Sequence, residues 1–453
     1  MKLPHLFAAF TLLSSILAPS ARAGGGIVDL TALANYANQT IPAYLTRNNA
    51  GANLITDKGA TLGRVLFYDK RLSRNDTISC ASCHQQSRAF SDTATASIGV
   101  AGTTGRHGMR LINARFAQEV RFFWDERALT LEAQTTQPIR DHAEMGFSGA
   151  NGDPAFAALL TKLAAIAEYR VMFAMTFGDA AITETRVQLA LAQFIRSIQS
   201  LDSKFDVGRA IPGNNNASNF ANFTAAENRG KALFLNAPPQ GGAGCAGCHR
   251  PPEFDIDPAS RNNGVITKIG GGTVLTNTRS PSLRDLLGPG GQTNGAFMHD
   301  GSLTTLNQVI SHYNAIPGDN ANLDNRLRRP GGQVQSLGLD GGQQNDLVAF
   351  LRTLTGSAVY TDARWSDPFD ANGALSLIVL PADSVTVASN GNGNATISCQ
   401  AAPGLTYQLW SSPDLTTWTS LGSVIPDASG RCSQVVTLSG TRFYRYTFDP
   451  PAS

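Results

Sequence analysis

Cys80-Ala81-Ser82-Cys83-His84 decides the fold. The C-x-x-C-H pattern attaches a c-type haem: two thiols form thioethers with the porphyrin vinyl groups, and the next residue offers its imidazole to iron. One turn of chain must present both sulfurs to the porphyrin edge and then carry His84 under its face. Cys245-Ala246-Gly247-Cys248-His249 repeats the pattern. With six cysteines and seven histidines in 453 residues, two copies outweigh a zinc knuckle or chance thiols. Two covalently bound haem c groups follow. Cys80, Cys83, Cys245 and Cys248 are the attachment points, and His84 and His249 are the proximal metal ligands.

Working outward, residues 24–201 read as mostly helical. TLGRVLFYD (61–69) places Leu62, Val65 and Leu66 on one face just before the first motif. Asp153-Pro154 reads as a helix start, and residues 186–201 carry apolar residues at helical spacing. A Gly/Pro/Asn/Ser-rich stretch, 208–222, reads as a linker. The pattern then restarts with a helix over 224–235, in which Thr224 and Glu227 form a capping box. The second motif follows, and a closing helix spans 340–354. Helix, haem motif, long loops and closing helix thus occur twice, which predicts two cytochrome-c-like helical domains.

After about residue 360 the composition changes to short β-branched or aromatic runs separated by turn residues: 375–380, 384–388, 395–399, 406–411 and 442–448. They predict a small antiparallel β-sandwich, with Cys399 and Cys432 as a candidate disulfide. The fold class is therefore mainly α, two haem domains followed by a C-terminal β-sandwich. The divisions are 1–23 (signal peptide), 24–207, 208–360 and 361–453. The signal reading rests on Lys2, the apolar run 6–17 and Ala21-Arg22-Ala23, the order of an exported, periplasmic protein. A formal charge of +2 argues against nucleic acid or anionic lipid as partner. No later stretch reaches the roughly 18 apolar residues of a membrane span.

Between the haem motifs lie FFWDERA (122–128), LEAQ (131–134), QPI (137–139) and EMG (144–146). A peroxidase needs an open iron position and a base that moves a proton between the peroxide oxygens. A buried Glu144 can be that base, the Gln134 amide can orient peroxide, and Trp124 offers a ring between two haems. Taken alone, Glu144 reads more readily as a solvated loop acid.

These segments, with LGRVLFYDKRLS (62–73), LINARF (111–116), RSPSLRD (279–285), FMHDGSLTTL (297–306), SHYN (311–314) and DLVAFLRTLTG (346–356), resemble the bacterial dihaem cytochrome c peroxidase family. That superfamily also includes the methylamine-utilisation dihaem enzyme that matures a tryptophan-derived quinone. The likeness runs from about 56 to 356. It implies a peroxidatic first haem with Glu144 as acid/base, Gln134 as its pocket partner and Trp124 on the electron path. The second haem would then admit electrons. Hydrogen peroxide would be the substrate and a small cytochrome c or cupredoxin the donor. A calcium ion between the haem domains and a homodimer are also implied. The rival activities are oxidation of a protein side chain, of the quinone-maturation type, and plain electron transfer.

Three departures from the family bear on this. The loop SIGVAGTTG (97–105) lacks the histidine of members that need reductive activation, so the first haem is expected open at rest, with His107 or Met109 as rival sixth ligands. His107 stands where the family commonly has a calcium-associated asparagine. The second haem's sixth ligand is expected to be Met298, with His299, His312 and Tyr313 as alternatives. His142, close to Glu144, is expected at the surface or the pocket rim.

Overall fold

In each haem half the helix before the motif crosses the closing helix at a glycine. In the computed structural model, which describes residues 24–381 and 384–451, helix Asp57–Tyr68 packs on Glu184–Ser197. A Cβ at Gly63 would stand 2.0 Å from the Ala190 carbonyl oxygen. Helix Ala225–Leu235 packs likewise on Gly341–Arg352, where a Cβ at Gly230 would stand 1.8 Å from the Asp346 carbonyl oxygen. Only glycine permits these backbone approaches, and the repeat read from the motifs has its structural counterpart here. Thr224 and Asp340 cap the second pair with the Glu227 and Gln343 side chains in reciprocal capping boxes.

Helix makes up 29% and strand 16%, so the expectation of a mainly α chain overstates the helix. Between the helices the chain wraps its cavities in long loops. The expected helix start at Asp153-Pro154 is corrected to Phe156–Ala164, followed by Ala167–Phe177. The Asp153 side chain does not cap; it is buried against Arg74, His142 and Ser148. The stretch read as a linker begins inside helix Lys204–Ala210 and buries Phe220 completely, so it is packed chain.

One apolar core runs from Phe205 to Leu354. The other joins the first haem half (Leu62, Phe67, Phe90, Phe194) to Ala395, Ile397, Tyr407 and Leu409 of the C-terminal strands. Those strands form two three-stranded antiparallel sheets. Asn394–Gln400 lies between Thr386–Gly391 and Arg431–Thr437; Tyr407–Ser412 lies between Phe443–Thr447 and Thr419–Val424. The sheets touch where Tyr446 Oη donates to the Ile397 carbonyl and Gln434 Nε2 to that of Leu421. Ser376–Ile378, expected within the sandwich, instead pairs in parallel with Ile27–Asp29 and ties the start of the described chain to the entry of the tail. Cys399 and Cys432, the candidate disulfide pair, are both buried and stand directly opposite each other on neighbouring antiparallel strands. The expected signal peptide, 1–23, lies outside the described residues. Among the described residues no helix is long and apolar enough to cross a membrane.

Candidate active site

The first motif folds as one helical turn, Cys80–Cys83, capped by Ser79 and Ser82, with His84 at its C-terminal end. The chain then reverses through left-handed Ala89 and Phe90, at φ of 52° and 58°. This brings the Phe90 carbonyl within 3.3 Å of His84 Nδ1. A carbonyl can only accept, so Nδ1 carries the proton and Nε2 is left for a metal, the usual arrangement of a ligating histidine. Burial lowers the His84 pKa, keeping the imidazole neutral as ligation requires.

Glu144 and Gln134 line the same space. A crevice of about 60 Å³ is bounded by Cys80, Cys83, His84, Gln134 and Glu144. It adjoins a cavity of about 430 Å³ with many of the same walls that continues past Trp124 to Arg279. Thr130 caps the short helix Leu131–Thr135 that carries Gln134. Glu144 sits on a tight turn: Asp141 Oδ1 accepts from the Ala143 and Glu144 amides at 2.8 and 3.0 Å. The 97–105 loop clamps the other side, Val100 N donating to the Glu144 carbonyl at 3.0 Å and Ala101 N to that of Ala143 at 3.2 Å. Burial first, then the charge of Asp141, push the Glu144 carboxyl up to about 7, against a smaller pull from Arg127. An acid tuned there can both take and give a proton at neutral pH. His142 lines neither space; its imidazole is partly exposed and pairs with Asp153 at 2.9 Å. Met109 does line the larger cavity, and its backbone lies against the His84 ring.

Trp124 is buried between this cavity and a second of about 390 Å³, and forms a wall of both. Its Nε1 donates to the His107 carbonyl at 2.7 Å, and its ring centroid stands 6.4 Å from that of His299. The second cavity is lined by Cys245, Cys248, His249, Met298 and Tyr313. Of the four sixth-ligand candidates, His299 and His312 are not among its walls. Each is turned to a backbone carbonyl, of Thr267 and Asn263 respectively. Met298 is buried at a left-handed φ of 70°, a conformation a non-glycine residue adopts only when its surroundings hold it there.

The residues fit two haem c groups. Each cavity presents two cysteines and a buried imidazole, and His249 Nδ1, Arg110 Nε and Arg279 Nε are buried with no partner among the described residues. The two guanidiniums suit haem carboxylates. Sequence reasoning missed them as site residues, although Arg279 opens the RSPSLRD segment. Calcium fits poorly. It takes oxygen ligands, whereas His107 offers nitrogen, with Nδ1 already bonded to the Ala94 carbonyl at 2.9 Å. No group of three or more His, Cys, Asp or Glu side chains suited to a metal occurs among the described residues.

Comparison with known proteins agrees with this geometry. The family model described as di-haem cytochrome c peroxidase matches residues 57–214. Methylamine utilization protein MauG of Methylophilus methylotrophus is 32% identical, covering 72% of this chain and 88% of that protein. Cytochrome c551 peroxidase of Nitrosomonas europaea is 28% identical, covering 66% and 80%. The crystal structure of a MauG-like protein associated with microbial copper homeostasis superposes with a TM-score of 0.58 at 29% identity, covering 73% of this chain and 99% of that one.

Proposed function

We propose, from the premise that this chain belongs to the di-haem cytochrome c peroxidase family, that it is an exported, periplasmic peroxidase reducing hydrogen peroxide to water. The observation that carries this is a carboxyl pushed up to about 7 on the wall of the crevice that also holds Cys80, Cys83 and His84. When bound, haem c supplies a redox-active iron able to accept a peroxide oxygen and hold oxidising equivalents. Ionised Glu144 takes the proton from one peroxide oxygen and returns it to the other as the O–O bond opens. The Gln134 amide, which makes no hydrogen bond of its own among the described residues, orients the peroxide. His84 is held by the Phe90 carbonyl as the proximal ligand. Trp124 provides the aromatic bridge between the cavities, over which two electrons from a small cytochrome c or cupredoxin arrive singly. His107 shares the larger cavity with Glu144, its Nδ1 held by the Ala94 carbonyl; the first haem is read as open at rest because the 97–105 loop carries no histidine.

The test is steady-state peroxide turnover by the holoprotein with a reduced small cytochrome, together with ferric EPR. A high-spin signal and turnover support the proposal. Two purely low-spin haems before and after partial reduction would leave plain electron transfer instead. Oxidation of a protein side chain is the second reading, favoured by the MauG relatives at 32% and 33% identity and by Tyr313 on the second cavity wall. Peroxide-driven modification of a protein substrate without donor-dependent turnover would select it.

A further inference from the structure

Asn263 touches two residues that compete to face the second haem. Its Nδ2 lies 3.4 Å from Met298 Sδ and 3.4 Å from Tyr313 Oη. The orientation of this amide is set locally: Oδ1 accepts from the Val265 backbone amide at 3.1 Å, an Asx turn that leaves only Nδ2 to point inward. The segment is tied to the helix that carries Tyr313, because His312 Nε2 donates to the Asn263 carbonyl at 2.9 Å. Asn263, Met298 and Tyr313 all line the cavity that holds Cys245, Cys248 and His249.

The two competitors are held unequally. Met298 is fixed by its left-handed backbone and by the turn in which Gly301 N donates to its carbonyl at 3.2 Å. Tyr313 stands in the last turn of helix Leu306–Asn314, one residue before its end. A thioether sulfur has two lone pairs, so it can accept from an amide and still bind a metal. The phenol bonded to the same amide is tethered to the segment that also holds its helix through His312, so a change at Asn263 frees Tyr313 while the Met298 backbone stays fixed.

We propose that Asn263 is a positioning residue that selects Met298 over Tyr313 as the axial ligand of the second haem, and thereby keeps that haem at a high potential. This rests on the reading that a second haem is attached at Cys245–His249. A thioether ligand raises the potential, whereas an oxygen ligand stabilises the ferric state and lowers it. The selection decides whether the second site can pass electrons from a mild donor.

The experiment uses the holoprotein and two variants. Asn263→Asp keeps the turn to Val265 and removes the donor; Asn263→Ala is a second, uncharged removal should the first fold poorly. Haem content is measured first, and near-infrared magnetic circular dichroism and potentiometric titration then report the ligand and potential of the second haem. Wild type should show methionine ligation. Either variant should show a mixed or oxygen-ligated signal and a lower potential. Adding Tyr313→Phe to the variant should restore a single methionine signal. Two haems with unchanged ligand and potential in both variants overturn the role of Asn263. An oxygen-ligated wild type overturns it as well. One haem per chain overturns the reading beneath it.

Discussion

Replacing Glu144 with glutamine should abolish turnover while making the protein more stable at alkaline pH. Moving a carboxyl from 4.5 to about 7 corresponds to a preference of roughly 3 kcal/mol for the protonated form, at 1.36 kcal/mol per tenfold. Between those two values the folded chain holds a proton that the unfolded chain has released. Stability therefore falls as pH rises through this window and is lowest, by that amount at most, above pH 7. A neutral amide of the same shape escapes the penalty. Glu144→Gln should thus match wild type near pH 4 and exceed it at pH 8.5 by up to roughly 3 kcal/mol, a rise of about 3 °C in Tm for a chain this size. Activity runs the other way. The rate of reaction with peroxide should fall about tenfold per pH unit below 7 as the base is protonated, and the variant should lose about 10²–10⁴-fold with a flat profile. Stopped-flow peroxide reactions and thermal melts across pH 4–9 check both halves. An acid limb near 4.5, or a variant that keeps wild-type turnover, refutes the assignment of Glu144 as base.

Trp124→Phe removes the indole shared by both cavities and its bond to the His107 carbonyl. Donor-dependent turnover should fall on the order of tenfold or more, with about 1 kcal/mol of stability lost with the hydrogen bond, while the pre-steady-state reaction with peroxide is unchanged; equal losses in both would place Trp124 in the chemistry instead. Asp153→Ala unpairs Arg74 and His142 on the loop that carries Glu144. Turnover should drop about tenfold through misplacement of the base, and the acid limb should move down from 7 toward 4.5 as water reaches the carboxyl; an unmoved limb would separate Asp153 from Glu144. Cys399 and Cys432 face each other as antiparallel neighbours, a separation that a disulfide spans. In protein exported to an oxidising compartment they should be oxidised to a bond that closes a loop of about 30 residues and adds roughly 3 kcal/mol, read by thiol titration and by the Tm of Cys432→Ser.

The two Cys-x-x-Cys-His motifs stand out because their spacing is fixed, and the capped helices were legible because Thr224 with Glu227, and Asp340 before its helix, obey local rules. What escaped depended on contact at a distance. Thr419–Val424 and Arg431–Thr437 are rich in Ser, Gly and Gln with one face exposed, so they carry little β signal until Tyr407–Ser412 and Asn394–Gln400 pair with them. Ser376–Ile378 looked like sandwich because nothing local could reveal a partner some 350 residues earlier. Asp153 had the sequence of a cap, yet the buried pairing with Arg74 outweighed that local use. Gly63 and Gly230 were invisible as crossing points, since a glycine inside a helix gives no hint of the backbone it must admit. At the second cavity the sequence put Met298 ahead of His299, His312 and Tyr313, and only the fold shows the two histidines turned to backbone carbonyls.

The two cavities differ in a way that supports the proposed division of roles without appeal to the family. The first has on its wall an ionisable group that burial has brought near neutrality, which is unfavourable in a folded chain unless something uses it, and the Gln134 amide beside it. The second offers a sulfur and a phenol joined by one amide, groups that ligate or hydrogen-bond but neither take nor return a proton during turnover at neutral pH. A site that breaks an O–O bond must deliver a proton as the bond opens, which supports the proposal that the chemistry is at the first cavity. A site that only passes electrons does best with a saturated ligand set that changes little between oxidation states, and under the proposal Met298, fixed at a left-handed φ, would supply that rigidity to the second. Trp124 is then needed by both. The first cavity can complete its reaction only as fast as electrons cross from the second, which is why an indole built into two walls at once is the residue whose loss should uncouple them.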